Sequence, residues 1–137
     1  MIKDTPKGMP DSALDFPKEA PESEYSDVIK YMEETYPEMT SEFKKIQRDQ
    51  YELFCKKQYD YGPQNIAVGT ILKTKEDVKL SLLGIWFRMN DKIERLKTLL
   101  MRDNNHAVEN ESVIDSFSDI SNYGVMAKVV AKGKWAK

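Results

Sequence analysis

The sequence predicts an all-α fold, about a four-helix bundle preceded by an extended, proline-rich N-terminal arm. Three observations support this prediction. Apolar residues recur at helical spacing in four segments, Gly and Pro interrupt the chain between them, and no pair of segments alternates as paired strands do. With 137 residues, the chain is long enough for one domain with one core. We therefore expect an arm at residues 1–23 and a helical domain at residues 24–137.

The predicted arm is defined by prolines at positions 6, 10, 17 and 21, with charged residues between them. Such a segment is either disordered or laid across a partner subunit, where Leu14 and Phe16 would be its apolar anchors. The second alternative, together with helices that carry apolar residues on more than one face, predicts a homo-oligomer.

The boundaries of the helices follow from capping and stop residues. A first helix is expected at residues 24–36, stopped by Pro37. A second begins with Thr40 as its N-cap and runs to about Tyr61, before Gly62 and Pro63. Its predicted core face is formed by Phe43, Ile46, Leu53 and Phe54.

Two further helices complete the predicted bundle. Thr74 and Asp77 resemble a capping box that opens a long third helix, which ends at about Met101. A fourth helix is expected from about Glu111 to Lys132. Its predicted apolar side consists of Val113, Phe117, Ile120, Gly124, Ala127 and Ala131.

Composition and charge exclude several classes of function. The net charge of −2 argues against general binding to nucleic acid or to a membrane surface, which requires a basic excess. No segment has the length of a transmembrane helix. A single cysteine, Cys55, rules out an internal disulfide, favours the cytoplasm and is expected to be packed. With His106 as the one histidine, the chain has no structural zinc set.

The fourth helix carries the strongest functional signal, an acidic stripe formed by Glu111, Asp115, Asp119 and Asn122. Their spacing of i, i+4, i+8 and i+11 puts them on one narrow face. The stripe is either a solvated surface or part of a closed site, where a divalent cation would offset the repulsion. Mg²⁺ takes oxygen ligands and bridges carboxylates to phosphates. We therefore predict Mg²⁺ at Glu111, Asp115 and Asp119.

The third helix supplies the opposite charge. Arg88, Lys92 and Arg95 lie on one side of it, with Asp91 among them. Asp91 and Arg95 are spaced for an ordinary ion pair, but the cluster is equally suited to hold a phosphate chain, because the guanidinium fork binds two oxygens at once.

The end of the second helix, from Lys56 to Asn65, is where loop residues could contact a ligand. There Tyr59 or Tyr61 could stack on a base, and Gln64 or Asn65 could bind its edge. Lys57 is a further candidate for nucleotide binding. Spacing alone favours a simple helix stop with surface tyrosines.

Three motifs resemble the nucleotide-modification-associated domain, first type, a family of bacteriophages and bacteria. They are Lys57 to Gly62, Arg88 to Leu96, and Glu111-Ser112 followed by Asp115, Asp119 and Asn122-Tyr123-Gly124. The resemblance covers about residues 43 to 131 and implies a nucleotide ligand, including contacts from Asn122. It also implies a cytoplasmic protein, which would work in the host cytoplasm if a bacteriophage encodes it.

The pattern is distantly similar to the all-α MazG-like and dimeric dUTPase pyrophosphohydrolases, which hold Mg²⁺ with E-x-x-E and E-x-x-D pairs. Asp49 and Glu52 have the first spacing, whereas Glu111 and Asp115 are four residues apart rather than three. This similarity implies a MazG-like bundle and a water-positioning carboxylate, Glu52 or Asp91.

The resulting prediction is a nucleotide-binding protein, with Mg²⁺-dependent cleavage of a deoxynucleoside triphosphate to monophosphate and pyrophosphate as its activity. Two alternatives stay open at this point. One is a non-catalytic nucleotide binder that sequesters a nucleotide or regulates another enzyme. The other is an oligomeric interaction module whose charges serve solubility alone.

Overall fold

The computed structural model describes residues 22–102 and 112–137, and it confirms the all-α prediction. The helices in these two ranges are α1 (Glu22–Thr35), α2 (Pro37–Tyr61), α3 (Gln64–Ala67), α4 (Lys75–Leu100) and α5 (Val113–Ala131). No strand occurs within the two ranges, and none of their helices combines the length and apolar character needed to cross a membrane. Residues 1–21 of the predicted arm and Glu111 lie outside the described residues.

The start of α2 differs from the prediction. The helix begins at Pro37 rather than after Thr40, because proline at the first helical position has no N–H to leave unsatisfied. The Thr40 hydroxyl donates to the Tyr36 carbonyl oxygen at 3.0 Å instead of capping a helix. The end of α2 is as predicted: Gly62 adopts a φ of 78° and its N–H donates to the Gln58 carbonyl oxygen at 2.9 Å.

Reciprocal capping boxes fix the first turns of α4 and α5. In the predicted box, the Asp77 N–H donates to Thr74 Oγ1 at 3.0 Å, and the Asp77 carboxylate accepts from the Thr74 N–H. A second box, which the sequence analysis did not identify, opens α5. There the Asp115 N–H donates to Ser112 Oγ at 2.9 Å, and the Ser112 N–H donates to Asp115 Oδ2 at 3.1 Å.

The core lies between α4 and α5. Lys92 contacts Asp119 and Arg95 contacts Ser116, so positions that advance along α4 retreat along α5, and the two helices are antiparallel. The buried residues of α4 recur at helical spacing, and those of α5 face them. These residues are Val78, Ser81, Ile85, Leu96 and Leu99 on α4, and Ser116, Met126 and Val130 on α5.

Two segments close one end of this helix pair. The short helix α3 buries Ile66 and Ala67, and the buried Ser81 hydroxyl donates to the Ile66 carbonyl oxygen at 2.7 Å. Trp135 packs edge-on against Phe54 and donates its indole N–H to the Pro63 carbonyl oxygen at 2.8 Å. The buried Trp135 ring therefore belongs to the core.

A strained residue connects α3 to α4. Val68 adopts the left-handed conformation with a φ of 53°, which is unfavourable for a β-branched side chain. Its Cγ2 lies against Gly84 of α4, at 3.3 Å from the position that a Cβ atom would occupy there. The absence of a side chain at Gly84 therefore makes room for Val68.

The helices α1 and α2 leave much of their apolar surface uncovered. No residue of α2 is buried, and of its predicted core face only Phe54 is partly buried, while Phe43, Ile46 and Leu53 are exposed. Cys55 is also exposed, so the expectation of a packed thiol was wrong. Helical periodicity identifies an apolar face, but it does not determine whether another part of the same chain covers that face.

Candidate functional site: a basic cleft between α2, α4 and α5

A cleft of about 320 Å³ opens where α2, α3, α4 and α5 meet. The three long helices contribute charged side chains to it, and aromatic and amide side chains complete its walls. Its lining consists of Phe54, Lys57, Gln58, Tyr61, Asn65, Ile66, Arg88, Lys92, Asp119, Asn122, Tyr123 and Met126.

Asp119 is the electrostatic centre of the cleft. Its Oδ1 lies 2.8 Å from the Lys57 ammonium, and its Oδ2 lies 3.0 Å from the Lys92 ammonium. The Asp119 side chain is 14% exposed, so the carboxylate is largely withdrawn from water. Because each oxygen accepts from a different helix, Asp119 joins α5 to α2 and to α4.

The pKa values of this group report the balance between burial and charge. Burial alone would raise the pKa of Asp119, but the hydrogen bonds and positive charges of Lys57 and Lys92 outweigh it and hold the pKa below its ordinary value. Burial alone would likewise lower the pKa of Lys57, but the hydrogen bond and charge of Asp119 raise it instead. Both partners are therefore stabilised in their charged forms at neutral pH.

Arg88 holds the loop that closes the cleft after α2. Its guanidinium donates to Asn65 Oδ1 at 3.1 Å and to the Asn65 carbonyl oxygen at 3.4 Å. Both acceptors are neutral, so these bonds do not neutralise the positive charge of Arg88.

Asn122 of α5 connects the wall of the cleft to α2. Its side-chain amide donates to the Gln50 carbonyl oxygen at 3.1 Å, and the Gln50 side chain donates in turn to Ser121 Oγ at 2.9 Å. Tyr61 and Tyr123 also line the cleft, and Tyr61 is exposed to solvent. An exposed tyrosine ring offers a flat apolar face on which a planar ligand can stack.

The structure brings most of the predicted nucleotide-binding residues together in this cleft. Of the residues predicted to bind a nucleotide, six line it: Lys57, Tyr61, Asn65, Arg88, Lys92 and Asn122. Arg95 does not line it and donates to the hydroxyl of the buried Ser116 at 3.3 Å. The predicted catalytic carboxylates also lie elsewhere, since Glu52 pairs with Lys56 on the exposed side of α2 and Asp91 is exposed on α4.

Two of the three predicted metal ligands, Asp115 and Asp119, make other contacts within the described residues. Both Asp119 oxygens accept from lysines, the Asp115 carboxylate accepts within its capping box, and Glu111 lies outside the described ranges. Within residues 22–102 and 112–137, no three His, Cys, Asp or Glu side chains are placed to hold a metal ion. Because Glu111 lies outside these ranges, the Mg²⁺ site stays a prediction.

Several lining residues were not identified as site members from the sequence: Phe54, Gln58, Ile66, Tyr123 and Met126. One signal was available for part of this set, because Tyr123 follows Asp119 by four residues and Phe54 precedes Gln58 by four, which puts each pair on one helical face. Ile66 gives no such signal, since the short helix α3 was predicted as loop.

Comparison of this chain with protein families, with curated proteins and with solved structures found no match.

Proposed function

We propose that this protein binds a nucleotide in the basic cleft, with the phosphates at Lys57, Arg88 and Lys92. The observation that carries the proposal is the convergence of the Lys57 and Lys92 ammonium groups on one oxyanion, Asp119. Two ammonium groups within 3.0 Å of carboxylate oxygens are already held in an arrangement that suits a second oxyanion, such as a phosphate.

The charge of the cleft supports an anionic ligand. Among the described residues, three cations line it against one carboxylate, in a chain whose overall charge is −2. Arg88 adds a guanidinium fork, which matches phosphate geometry better than a single ammonium does. The excess lies in a cleft of about 320 Å³, and this size favours a small phosphate ligand over a nucleic acid polymer.

The remaining walls suit the base of a nucleotide. Tyr61 offers a ring for stacking, and the amide groups of Gln58 and Asn65 supply donors and acceptors for a base edge. A volume of about 320 Å³ is at the small end of ligand sites, so a mononucleotide fits better than a dinucleotide.

The geometry supports binding better than hydrolysis. Among the described residues, only one carboxylate lines the cleft, and each of its two oxygens is paired with a lysine. Mg²⁺-dependent pyrophosphohydrolysis and a MazG-like bundle remain parts of the proposal that rest on the family resemblance. If Mg²⁺ binds, it would supply charge neutralisation at the phosphates, with Asp119, Asp115 and Glu111 as its predicted ligands.

The experiment is titration calorimetry with a panel of nucleoside mono-, di- and triphosphates, with and without Mg²⁺, and with released pyrophosphate measured in parallel. The decisive variant is Arg88→Ala, because Arg88 donates to the neutral Asn65 side chain and its loss leaves no carboxylate unpaired. We expect binding to weaken by roughly 1–3 kcal/mol, the range for a charge-assisted hydrogen bond.

The matched control is Lys97→Ala, which removes an exposed cation from the same helix outside the cleft. It should bind as the parent does. Equal weakening in Arg88→Ala and Lys97→Ala would show that only general charge matters and would refute the cleft as the site. Pyrophosphate release by the parent would assign the hydrolase activity in addition to binding.

A further inference from the structure

We infer that the apolar groove between α2 and α5 is the interface of a symmetric homodimer. The groove has a volume of about 690 Å³ and lies on the side of α5 that faces α2. Its apolar lining includes Phe43, Ile46 and Tyr51 from α2, and Ile114, Phe117 and Val125 from α5. All six are exposed in the single chain.

The amount of exposed apolar surface matches what a stable dimer buries. Phe43 is 63% exposed, Phe117 51% and Val125 59%. With their three neighbours, these side chains expose on the order of 650 Å², against about 800 Å² per partner in a standard interface. These apolar side chains alone thus supply most of the area that one partner buries in a standard interface.

The absence of charge identifies a second copy as the occupant. Among the described residues, every polar side chain that lines the groove is neutral, namely Gln47, Gln50, Ser118, Ser121 and Asn122, although 32% of the whole chain is charged. In a two-fold symmetric contact, a surface meets itself, so any charged residue near the axis would face its own like charge. A surface without charges avoids this repulsion, whereas a foreign partner could be recognised through complementary charges.

The groove shares a wall with the basic cleft. Phe54, Asn122 and Met126 line both, so these side chains form the wall between them. A second copy seated in the groove would cover the outer side of that wall. The dimer contact would therefore support the residues that shape the cleft, although the inference itself does not depend on the proposed nucleotide.

The test is sedimentation equilibrium of the full chain at micromolar concentrations. The expected mass is twice the chain mass of 15.9 kDa. The variants Phe117→Glu and Val125→Glu each put a carboxylate into the groove, and symmetry repeats it on the partner. We expect each to weaken dimerisation at least about 100-fold, because a like-charge pair would then be desolvated at an interface hot spot.

The control is Phe87→Glu, the same change at a residue of α4 that is 60% exposed and does not line the groove. It should dimerise as the parent does. Since all three positions are at least half exposed in the single chain, far-ultraviolet circular dichroism should show parental helix content in each variant. A monomeric parent would overturn the inference, as would dimers that persist in both groove variants or are lost only in Phe87→Glu.

Discussion

Replacing Asp119 with Asn tests the electrostatic centre of the cleft most directly. The substitution keeps the shape of the side chain but removes the charge that Lys57 and Lys92 share. If the acidic stripe formed a closed site without a cation, Asp119 would repel Asp115, and its neutralisation would leave stability level or raise it. The structure surrounds Asp119 with cations, and the expected sign is therefore a loss of stability.

The magnitude follows from the burial of the partners. Breaking a fully buried ion pair costs about 3–5 kcal/mol, whereas an exposed pair is worth about 0–1 kcal/mol. The Lys57 and Lys92 side chains retain 38% and 27% of their exposure, so both ammonium groups can turn towards water. We expect a loss of about 1–2 kcal/mol in the free energy of unfolding, or roughly 3–10 °C in Tm.

The assay is thermal and urea unfolding of Asp119→Asn beside the parent, with Asp91→Asn as the control. Asp91 is an exposed carboxylate on α4, and its change should stay within about 0.5 kcal/mol. A melting temperature of Asp119→Asn at or above that of the parent would refute the electrostatic reasoning. For Asp119→Asn, nucleotide affinity without Mg²⁺ should rise several-fold, because Lys57 and Lys92 lose their internal carboxylate. A fall in nucleotide affinity that occurs only in Mg²⁺ buffers would favour the metal prediction.

Three further predictions follow from single contacts. Arg95→Ala should lower stability, while nucleotide affinity stays within about two-fold of the parent, because Arg95 binds Ser116 outside the cleft. Weaker nucleotide binding in calorimetry would contradict that placement. Ser112→Ala should lower the free energy of unfolding by about 1 kcal/mol in urea melts by removing a cap of α5, and an unchanged midpoint would argue against the box. The stabilisation by the Asp119–Lys57 ion pair should not change with pH between the pKa of Asp119 and the pKa of Lys57. It is lost as pH falls through the depressed pKa of Asp119, below 3.8, and as pH rises through the raised pKa of Lys57, above 10.5. In pH-dependent melts, Asp119→Asn should reduce both slopes, and parental slopes would contradict the pairing.

Local chemistry made much of the secondary structure predictable. Gly62 and Pro63 end α2 where the sequence indicated, and Thr74 with Asp77 opens α4 as predicted. The same capping pattern at Ser112 and Asp115 was overlooked, because Asp115 was interpreted as part of the acidic stripe. A carboxylate at the third position of a helix satisfies backbone donors first, and its spacing from other acids says nothing about that role.

The site was predictable as a set of residue types but not as a geometry. Spacing along α5 placed Asp119 on one face, yet its partners Lys57 and Lys92 come from other helices, and no one-dimensional pattern reports such distant pairs. The same limit applies to the apolar faces. Periodicity predicted that Phe43 and Phe117 face a core, whereas both are exposed beside a groove.

The contact between Val68 and Gly84 makes the effect of one substitution depend on the other. Gly84 weakens α4 by about 1 kcal/mol relative to Ala, and Val68 is held in a backbone conformation that favours glycine. Adding a methyl group at Gly84 alone would press on Val68, at 3.3 Å. Val68→Gly relieves the backbone and vacates that space, so Gly84→Ala should be more favourable after it than before it. The two positions form an epistatic pair, in which the more favourable order of substitutions moves a glycine from the loop-facing helix position into the loop.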